Sequence, residues 1–214
     1  MSVLQIFGSP ISRSVSNVWA SLELGIPYEI VPIGWDDNSI YSPEFRAINP
    51  NARVPAMRDG EFVLWESLAI NLYLVKKHGG PIAACNLEQE ALAWQWTLWA
   101  AVHLERPLMR WAFNRFILEE AERHAAAAEA AMQEALPLLA VLETELGRRP
   151  YLAGETFTVA DLNVGCAMFR SHQYLDCSDT PNLARWVQAV FNRPAARQAW
   201  AIRVAEAARP AGSS

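Results

Sequence analysis

The chain has 214 residues, with 18 Lys and Arg against 23 Asp and Glu, for a formal net charge of −5. That length can bury one large core or two small ones. The mildly acidic balance, without a long Lys/Arg run, argues against nucleic acid or an anionic membrane as the main partner. Three cysteines, Cys85, Cys166 and Cys177, are an odd number without metal-ligand spacing, so neither a disulfide framework nor a metal site is expected.

Val3 to Phe7 reads as a buried strand closed by Gly8-Ser9-Pro10. Ser9, Pro10, Ser12 and Arg13 break this first apolar run, so it does not read as a signal segment. Val15, Val18, Trp19 and Leu22 then recur at i, i+3, i+4 and i+7, and Gly25 supplies a stop. The spacing predicts an amphipathic helix whose first turn holds Ser12, Arg13 and Ser14. Tyr28 to Ile33 is a second strand, and strand-helix-strand favours a parallel pair. A loop or short helix around Ser42 to Ile48 leads into a hairpin turned at Asp59-Gly60. The hairpin returns through Phe62-Val63-Leu64-Trp65 and delivers Glu66-Ser67 to a helix ending near Lys77.

Beyond Gly79-Gly80-Pro81 no strand is predicted. Helical patterns run from about Leu87 to Phe116 and from Leu118 to Leu146, with Pro137 expected to kink the second or start a new segment. The Ala-rich stretch 125–131 reads as a helix former on a solvated face. Thr158-Val159-Ala160-Asp161 is a capping box with Asp in the usual place of Glu, and Phe157 and Leu162 stand where a hydrophobic staple would be. Two further helices follow, Leu183 to Phe191 and Ala195 to about Ala208. The most apolar segment, Ala91 to Leu104, is interrupted by Gln95, Thr97 and His103 and reads as a buried helix, since no stretch reaches the ~18 uninterrupted apolar residues of a span. A soluble cytoplasmic protein with an α+β fold is expected, a small α/β domain followed by an all-helical one.

The chemistry concentrates in the first 70 residues. A cis Val54-Pro55 bond would aim the Val54 N–H and C=O outward, where they could pair with a bound peptide backbone, and a trans proline at a strand edge is the ordinary alternative. Ser67 at a helix N-terminus offers free N–H groups to a carboxylate, and Glu66 could accept from a ligand ammonium; an N-cap serine after a strand is also common without any ligand. Ser9, Ser12, Arg13 and Ser14 cluster where the first strand meets the first helix, at the other edge of the same prospective cleft. A hydroxyl there could donate to a bound thiolate, although Ser9 and Ser14 read more simply as local turn residues. No Gly-rich phosphate loop or nucleophile-elbow sequence is present, and His78, His103, His124 and His172 are scattered. No cysteine precedes the first helix, so a CxxC redox centre is excluded.

Together these residues resemble the cytosolic glutathione transferase family, over nearly the whole chain. The segment from Phe7 to Leu22 is similar to the start of its serine-type classes (theta, zeta and phi-like). There the catalytic serine stands six residues before a helix-one valine, and counting back from Val18 gives Ser12. Asn49-Pro50-Asn51-Ala52-Arg53-Val54-Pro55 is similar to the loop before the family's cis-proline. Glu66-Ser67-Leu68-Ala69-Ile70 matches the element that holds the γ-glutamyl group, and Thr158 to Asp161 matches the capping box of the helical domain. Arg53 replaces the Gln or Lys often found there, and Ala52 stands where many relatives carry Gly.

The resemblance implies a thioredoxin-like glutathione-binding domain at 1–79, a linker at 80–86, an all-helical domain at 87–208 and a tail at 209–214. It implies Ser12 as the catalytic residue and Arg53, Val54, Pro55, Glu66 and Ser67 as glutathione-binding residues. It also implies an electrophile pocket to which Ser9, Ile11, Trp99, His103, Arg106 and Trp111 contribute. Glutathione is then a substrate, no metal takes part, the second substrate is a small hydrophobic electrophile, and the assembly is a homodimer. The activity implied is transfer of alkyl or aryl groups to the glutathione sulfur. Another glutathione-dependent reaction (isomerase, peroxidase or dehalogenase) and a non-catalytic binding or stress-regulatory member of the fold are the alternatives.

Overall fold

A computed structural model describes residues 3–209. The chain forms two compact units: one runs through Ala83 and resumes at Arg193, the other spans Ala84–Asn192. In the first unit come β1 (Leu4–Phe7), α1 (Ser14–Leu24), β2 (Tyr28–Val31), a 3-10 turn at Ser39–Tyr41, α2 (Pro43–Ile48), β3 (Ala56–Asp59), β4 (Phe62–Trp65) and α3 (Ser67–His78). The sheet order is β2-β1-β3-β4. β1 and β2 are parallel, as a helical crossover demands, with Ile6 opposite Ile30. β3 runs antiparallel to β1, pairing Met57 with Ile6, and β4 returns antiparallel to β3. Ile6, Met57 and Ala56 are wholly buried, and one end of the core is closed by Phe7, Ile40, Phe45 and Ala56.

α1 stops at Gly25, whose left-handed backbone (φ 63°) returns its N–H to the last turn. It starts later than the spacing predicts. Ser12 N–H bonds Ser9 C=O at 2.9 Å and Ser16 N–H bonds Arg13 C=O at 3.0 Å, both three-residue closures. Ser12 and Arg13 therefore sit in a tight turn ahead of the helix, with Arg13 as its N-cap.

The last helix, α9 (Pro194–Ala207), is where the structure departs from the expected domain boundary. It belongs with the first unit, not with the helical one. Arg193 clamps the Glu23 carboxylate through Nε and Nη2, both at 2.7 Å. Glu23 also accepts from Trp19 Nε1 at 3.0 Å, and Ala196 and Ala199 let α9 approach closely because their small side chains are buried. The tail expected at 209–214 lies, past Arg209, outside the described residues.

The second unit is helical throughout. α4 (Leu87–Trp99) and α5 (Glu105–Ala112) form one continuous rod with π turns at Ala100–Leu104 and Phe113–Ile117. Pro107 has no N–H for the fourth carbonyl before it, and the wider turn just ahead absorbs that loss. α4 is only partly buried, contrary to expectation: Ala93, Trp96, Thr97 and Ala100 face inward, while Trp94, Leu98 and Val102 are exposed. The next helix, α6 (Ala125–Arg148), begins seven residues later than expected. Arg123 explains the delay, since its guanidinium donates to Leu118 C=O at 2.7 Å and Phe116 C=O at 3.1 Å and so caps the preceding π turn.

Pro137 does not restart the helix, because α6 runs unbroken past it. It is exposed, so the carbonyl it leaves unpaired can reach solvent, and the buried face continues past it through Ala135, Leu139 and Leu142. The Ala-rich stretch is not wholly solvated either, because Ala128 and Ala131 are buried. Among the described residues α6 alone is long and apolar enough to cross a membrane. Its packed face and its carboxylates Glu129, Glu134, Glu143 and Glu145 mark it as a core helix.

α7 (Val159–Met168) is buried along its whole length. Thr158 Oγ1 accepts from Ala160 N–H at 3.3 Å, and Asp161 Oδ2 accepts from Thr158 N–H at 2.9 Å, which completes the capping box. Phe157 and Leu162 are both buried beside it. The N-terminus of α8 (Pro181–Phe191) lacks a side-chain cap of its own. Glu143 of α6 takes that role, accepting Leu183 N–H at 2.8 Å and Asn182 Nδ2 at 2.7 Å.

Candidate active site

The turn between β1 and α1 is built around serine hydroxyls. Gly8 has φ +119°, and a Cβ there would lie 2.3 Å from Ser14 Oγ and 2.8 Å from Val54 Cβ. Only glycine lets Val54 close against this turn. Ser12 Oγ donates to Ser9 C=O at 2.6 Å. It also accepts Ser14 N–H at 3.2 Å and lies 2.8 Å from Ser14 Oγ. Ser14, fully buried, reaches Phe7 C=O at 3.3 Å.

A serine carries one proton and two lone pairs. The proton of Ser12 points at Ser9 C=O, which is already held by Ser12 N–H. It can therefore be redirected to an incoming anion without orphaning that carbonyl. The Ser14 N–H on its oxygen polarises the hydroxyl and strengthens it as a donor. Ser9 serves the turn itself, its Oγ accepting from Ile11 N–H at 3.3 Å.

The hairpin supplies the other half. Asn49, buried, donates to Arg53 C=O at 2.7 Å and accepts from Asn51 N–H at 3.1 Å, which shapes the loop ahead of β3. Ala52 in this loop has φ 51°, the left-handed region in which a Cβ costs about 1 kcal/mol. That is the position where the resemblance placed Gly. The Val54-Pro55 bond is cis. Among the described residues neither the Val54 N–H nor its C=O has a hydrogen-bond partner.

β4 ends in Glu66, exposed, with φ 75° and ψ 108°. Such a backbone is costly for a residue with a Cβ and concentrates at ligand clamps. Glu66 is the N-cap of α3 but uses no side-chain bond for the cap, so its carboxylate stands beside the helix start. Ser67 is buried, and its hydroxyl accepts from Arg13 Nε at 3.1 Å. Its carbonyl accepts from Asn17 Nδ2 at 2.8 Å, and Asn17 also donates to Asn71 Oδ1 at 2.8 Å.

The structure thus brings together the two clusters that the sequence placed at opposite edges of a cleft. Val54 packs on Gly8, and Arg13 next to Ser12 is bonded to Ser67. Gly8, Asn17, Asn49 and Asn71 are the supports that sequence reasoning did not single out. Asn71 carried a signal, being a polar residue among the apolar, buried Leu68, Leu74 and Val75 of its helix face, whereas Asn17 lies between Ser14 and Ser21 and carried none.

Residues 1–76 match the family model of the Glutathione S-transferase, N-terminal domain, and residues 101–194 that of its C-terminal domain. Glutathione S-transferase GstB of Escherichia coli strain K12 is 31% identical, over 94% of this chain and 100% of that protein. The chain belongs to the glutathione S-transferase family. Glutathione S-transferase 3 of Zea mays is 32% identical over 91% of this chain and 92% of its own length. The crystal structure of the theta class glutathione S-transferase of Xanthomonas axonopodis pv. citri, with glutathione bound, superposes with a TM-score of 0.83 at 28% identity, covering 93% of this chain and 97% of that one.

As in that family, the mixed four-stranded unit is the thioredoxin-like domain and the helical unit follows it. Of the residues that this transferase's sequence assigned to the electrophile, Ser9 is half-buried and Ile11 is 40% exposed, both in the turn that carries Ser12. Trp99 is half-buried, edge-on to Trp96 at 5.2 Å, and His103 and Arg106 are exposed. Trp111 is buried, edge-on to Phe116 at 5.3 Å, where it packs the core. Trp96 is a core residue as well, its Nε1 held by Leu152 C=O at 3.0 Å.

Proposed function

We propose that this glutathione S-transferase binds glutathione on its first unit, with Ser12 holding the sulfur as thiolate. The observation that carries this reading is the Ser12 hydroxyl itself, whose proton can be redirected while Ser14 N–H donates to its oxygen. A free thiol with pKa about 8.5 is only about 3% ionised at pH 7, and lowering it by about two pH units, about 2.7 kcal/mol, makes thiolate the main form. The thiol proton goes to solvent. The sulfur pair then forms a bond to the electrophilic carbon, whose leaving group departs with its own bonding pair.

In this reading the unpaired Val54 N–H and C=O hold the cysteinyl backbone after Pro55 has set their direction. The Glu66 carboxylate takes the γ-glutamyl ammonium, while Ser67 and the start of α3 take its carboxylate. Arg53, exposed, offers a guanidinium to the glycyl carboxylate. The electrophile approaches over Ile11 and Ser9, in the turn that carries Ser12. The same reading includes a cytoplasmic homodimer, to be checked by sedimentation of the pure protein.

Ser12→Ala is the deciding test. We expect glutathione to be retained with a KM within about threefold, while kcat/KM for a generic aryl halide falls about 100-fold and the pKa of the bound thiol rises. An unchanged pH–rate profile in the folded variant would take the role away from Ser12.

A further inference from the structure

We infer that Arg203 on the C-terminal helix is a positioning residue for the Ser12 turn, and that α9 acts as a brace laid along α1. The inference rests on the reading that Ser12 serves the thiol. α9 lies almost wholly beyond residue 194, where the match to the C-terminal family domain ends. It nevertheless returns to the first unit and is fastened at both ends of α1. Arg193 grips Glu23 near the end of α1, and Arg203 donates through Nη1 to Ile11 C=O in the turn before its start.

The spacing fits. Ten positions, from the N-cap Arg193 to Arg203 within α9, correspond to about 15 Å of helix, and the run from Ile11 to Glu23 along α1 is of the same order. Two arginines of one helix thus meet two anchor points of another that runs the opposite way. The Glu23 side chain is 5% exposed, so that anchor is desolvated, and Trp19 Nε1 shares it. Burial of Ala196 and Ala199 between the two arginines keeps the helices in contact.

The upper anchor bears on the chemistry because Ile11 C=O and Ser12 N–H belong to one planar peptide unit. Ser12 N–H is tied to Ser9 C=O, and Arg203 ties the opposite side of the same plane. With this plane fixed and the next one held by Val15 N–H on Ser12 C=O at 3.4 Å, the direction of the Ser12 Cα–Cβ bond is set, and with it the arc on which Oγ can lie. Side-chain packing cannot do this work here, since Ile11 is 40% exposed. A cation drawing on Ile11 C=O also strengthens the N–H at the far side of the peptide.

The test uses the full chain, glutathione and an aryl halide, and reads the thiol by its ultraviolet absorbance and the pH dependence of kcat/KM. Arg203→Met is expected to raise the pKa of the bound thiol by about 0.5 and to lower kcat/KM about five-fold, with KM for glutathione nearly unchanged. Arg203→Lys, which keeps the charge and a donor, should recover most of the loss and covers the case in which Arg203→Met folds poorly. In a Ser12→Ala background the Arg203→Met effect should vanish, because Arg203 acts through Ser12. A loss of activity that tracks thermal stability with no shift in the pH profile would overturn the proposal, and so would a shift that persists without the Ser12 hydroxyl. If Ser12→Ala itself leaves the profile unchanged, the Ser12 reading has failed and the brace with it; a shift in Ser12→Ala with none in Arg203→Met overturns the brace alone.

Discussion

The turn at Ser12 and the cluster at Asp161 are both dense in hydrogen bonds, and they serve opposite ends. Asp161 is fully buried, and its oxygens collect Leu152 N–H and Trp186 Nε1, each at 2.8 Å, and Thr158 N–H at 2.9 Å. Burial pushes its carboxyl upward against the pull of these donors. Every group in that cluster is spent internally, so it offers nothing to a ligand. The Ser12 side differs in each respect: a redirectable hydroxyl proton, an unpaired Val54 backbone and a left-handed Glu66 with an exposed carboxylate. A polar cluster closed on itself specifies a fold, and one with bonds left to make specifies a partner.

The largest effect should come from breaking the closed cluster. Asp161→Ala strands two backbone N–H groups and an indole N–H in the interior and should destabilise the chain by about 3–5 kcal/mol in urea titration. The molecules that remain folded should keep the pKa of their bound thiol. A loss under about 1 kcal/mol would put Asp161 on the same footing as an ordinary surface cap. Ser12→Ala should show the reverse pattern, activity lost and stability kept.

Next is the bond that joins the two halves of the candidate site. Arg13→Met removes the donor to Ser67 and should raise KM for glutathione about ten-fold, with stability changed by no more than about 1 kcal/mol. An unchanged KM would mean that the serine turn and the start of α3 act independently.

A smaller effect concerns pH and the second unit alone. Burial pushes the Glu143 carboxyl up, but the Leu183 and Asn182 donors and the charge of Arg185 outweigh it and hold it below the ordinary range. A depressed carboxylate contributes stability that is present above its unfolded pKa of about 4.5 and is lost as pH falls through the lower folded value. Thermal melts should therefore drop below about pH 4.5, and Glu143→Gln should flatten that part of the curve. An identical acid limb in the variant would show that α8 does not depend on this cap.

Least of all, Ala52→Gly relieves a left-handed backbone but gives the unfolded chain more freedom. The balance should be a gain of at most about 0.5 kcal/mol. A clear loss would show that the Ala52 methyl, packed at the edge of the Phe7 and Phe45 core, matters more than its φ.

Much of this was legible in the chain because the signals were local. The i, i+3, i+4 spacing of Val15, Val18 and Trp19, the Asp59-Gly60 turn and the Thr158 to Asp161 box each act within a few residues, and each is found in the structure, with only the first turn of α1 starting late. The serine turn, Val54-Pro55 and Glu66-Ser67 stood out because turn and cap chemistry restricts which residues can stand there, while the choice of Ser12 within the turn came from the resemblance. Pro137 misled because a proline's effect depends on whether its orphaned carbonyl meets solvent or core, which only the packed helix decides. The start of α6 misled because its upstream boundary is set by the Arg123 side chain capping another segment.

The sequence by itself determined the element order, the two-part composition and the candidates for holding a peptide-like anion, since period, turns and caps are short-range physics. The tertiary structure alone decided the sheet order, the Arg13–Ser67 bond and the return of α9 to α1. Those are contacts between residues 54 and 170 positions apart along the chain. No local propensity encodes such a contact; it exists only once burial has paid the entropy of closing the loop between its ends.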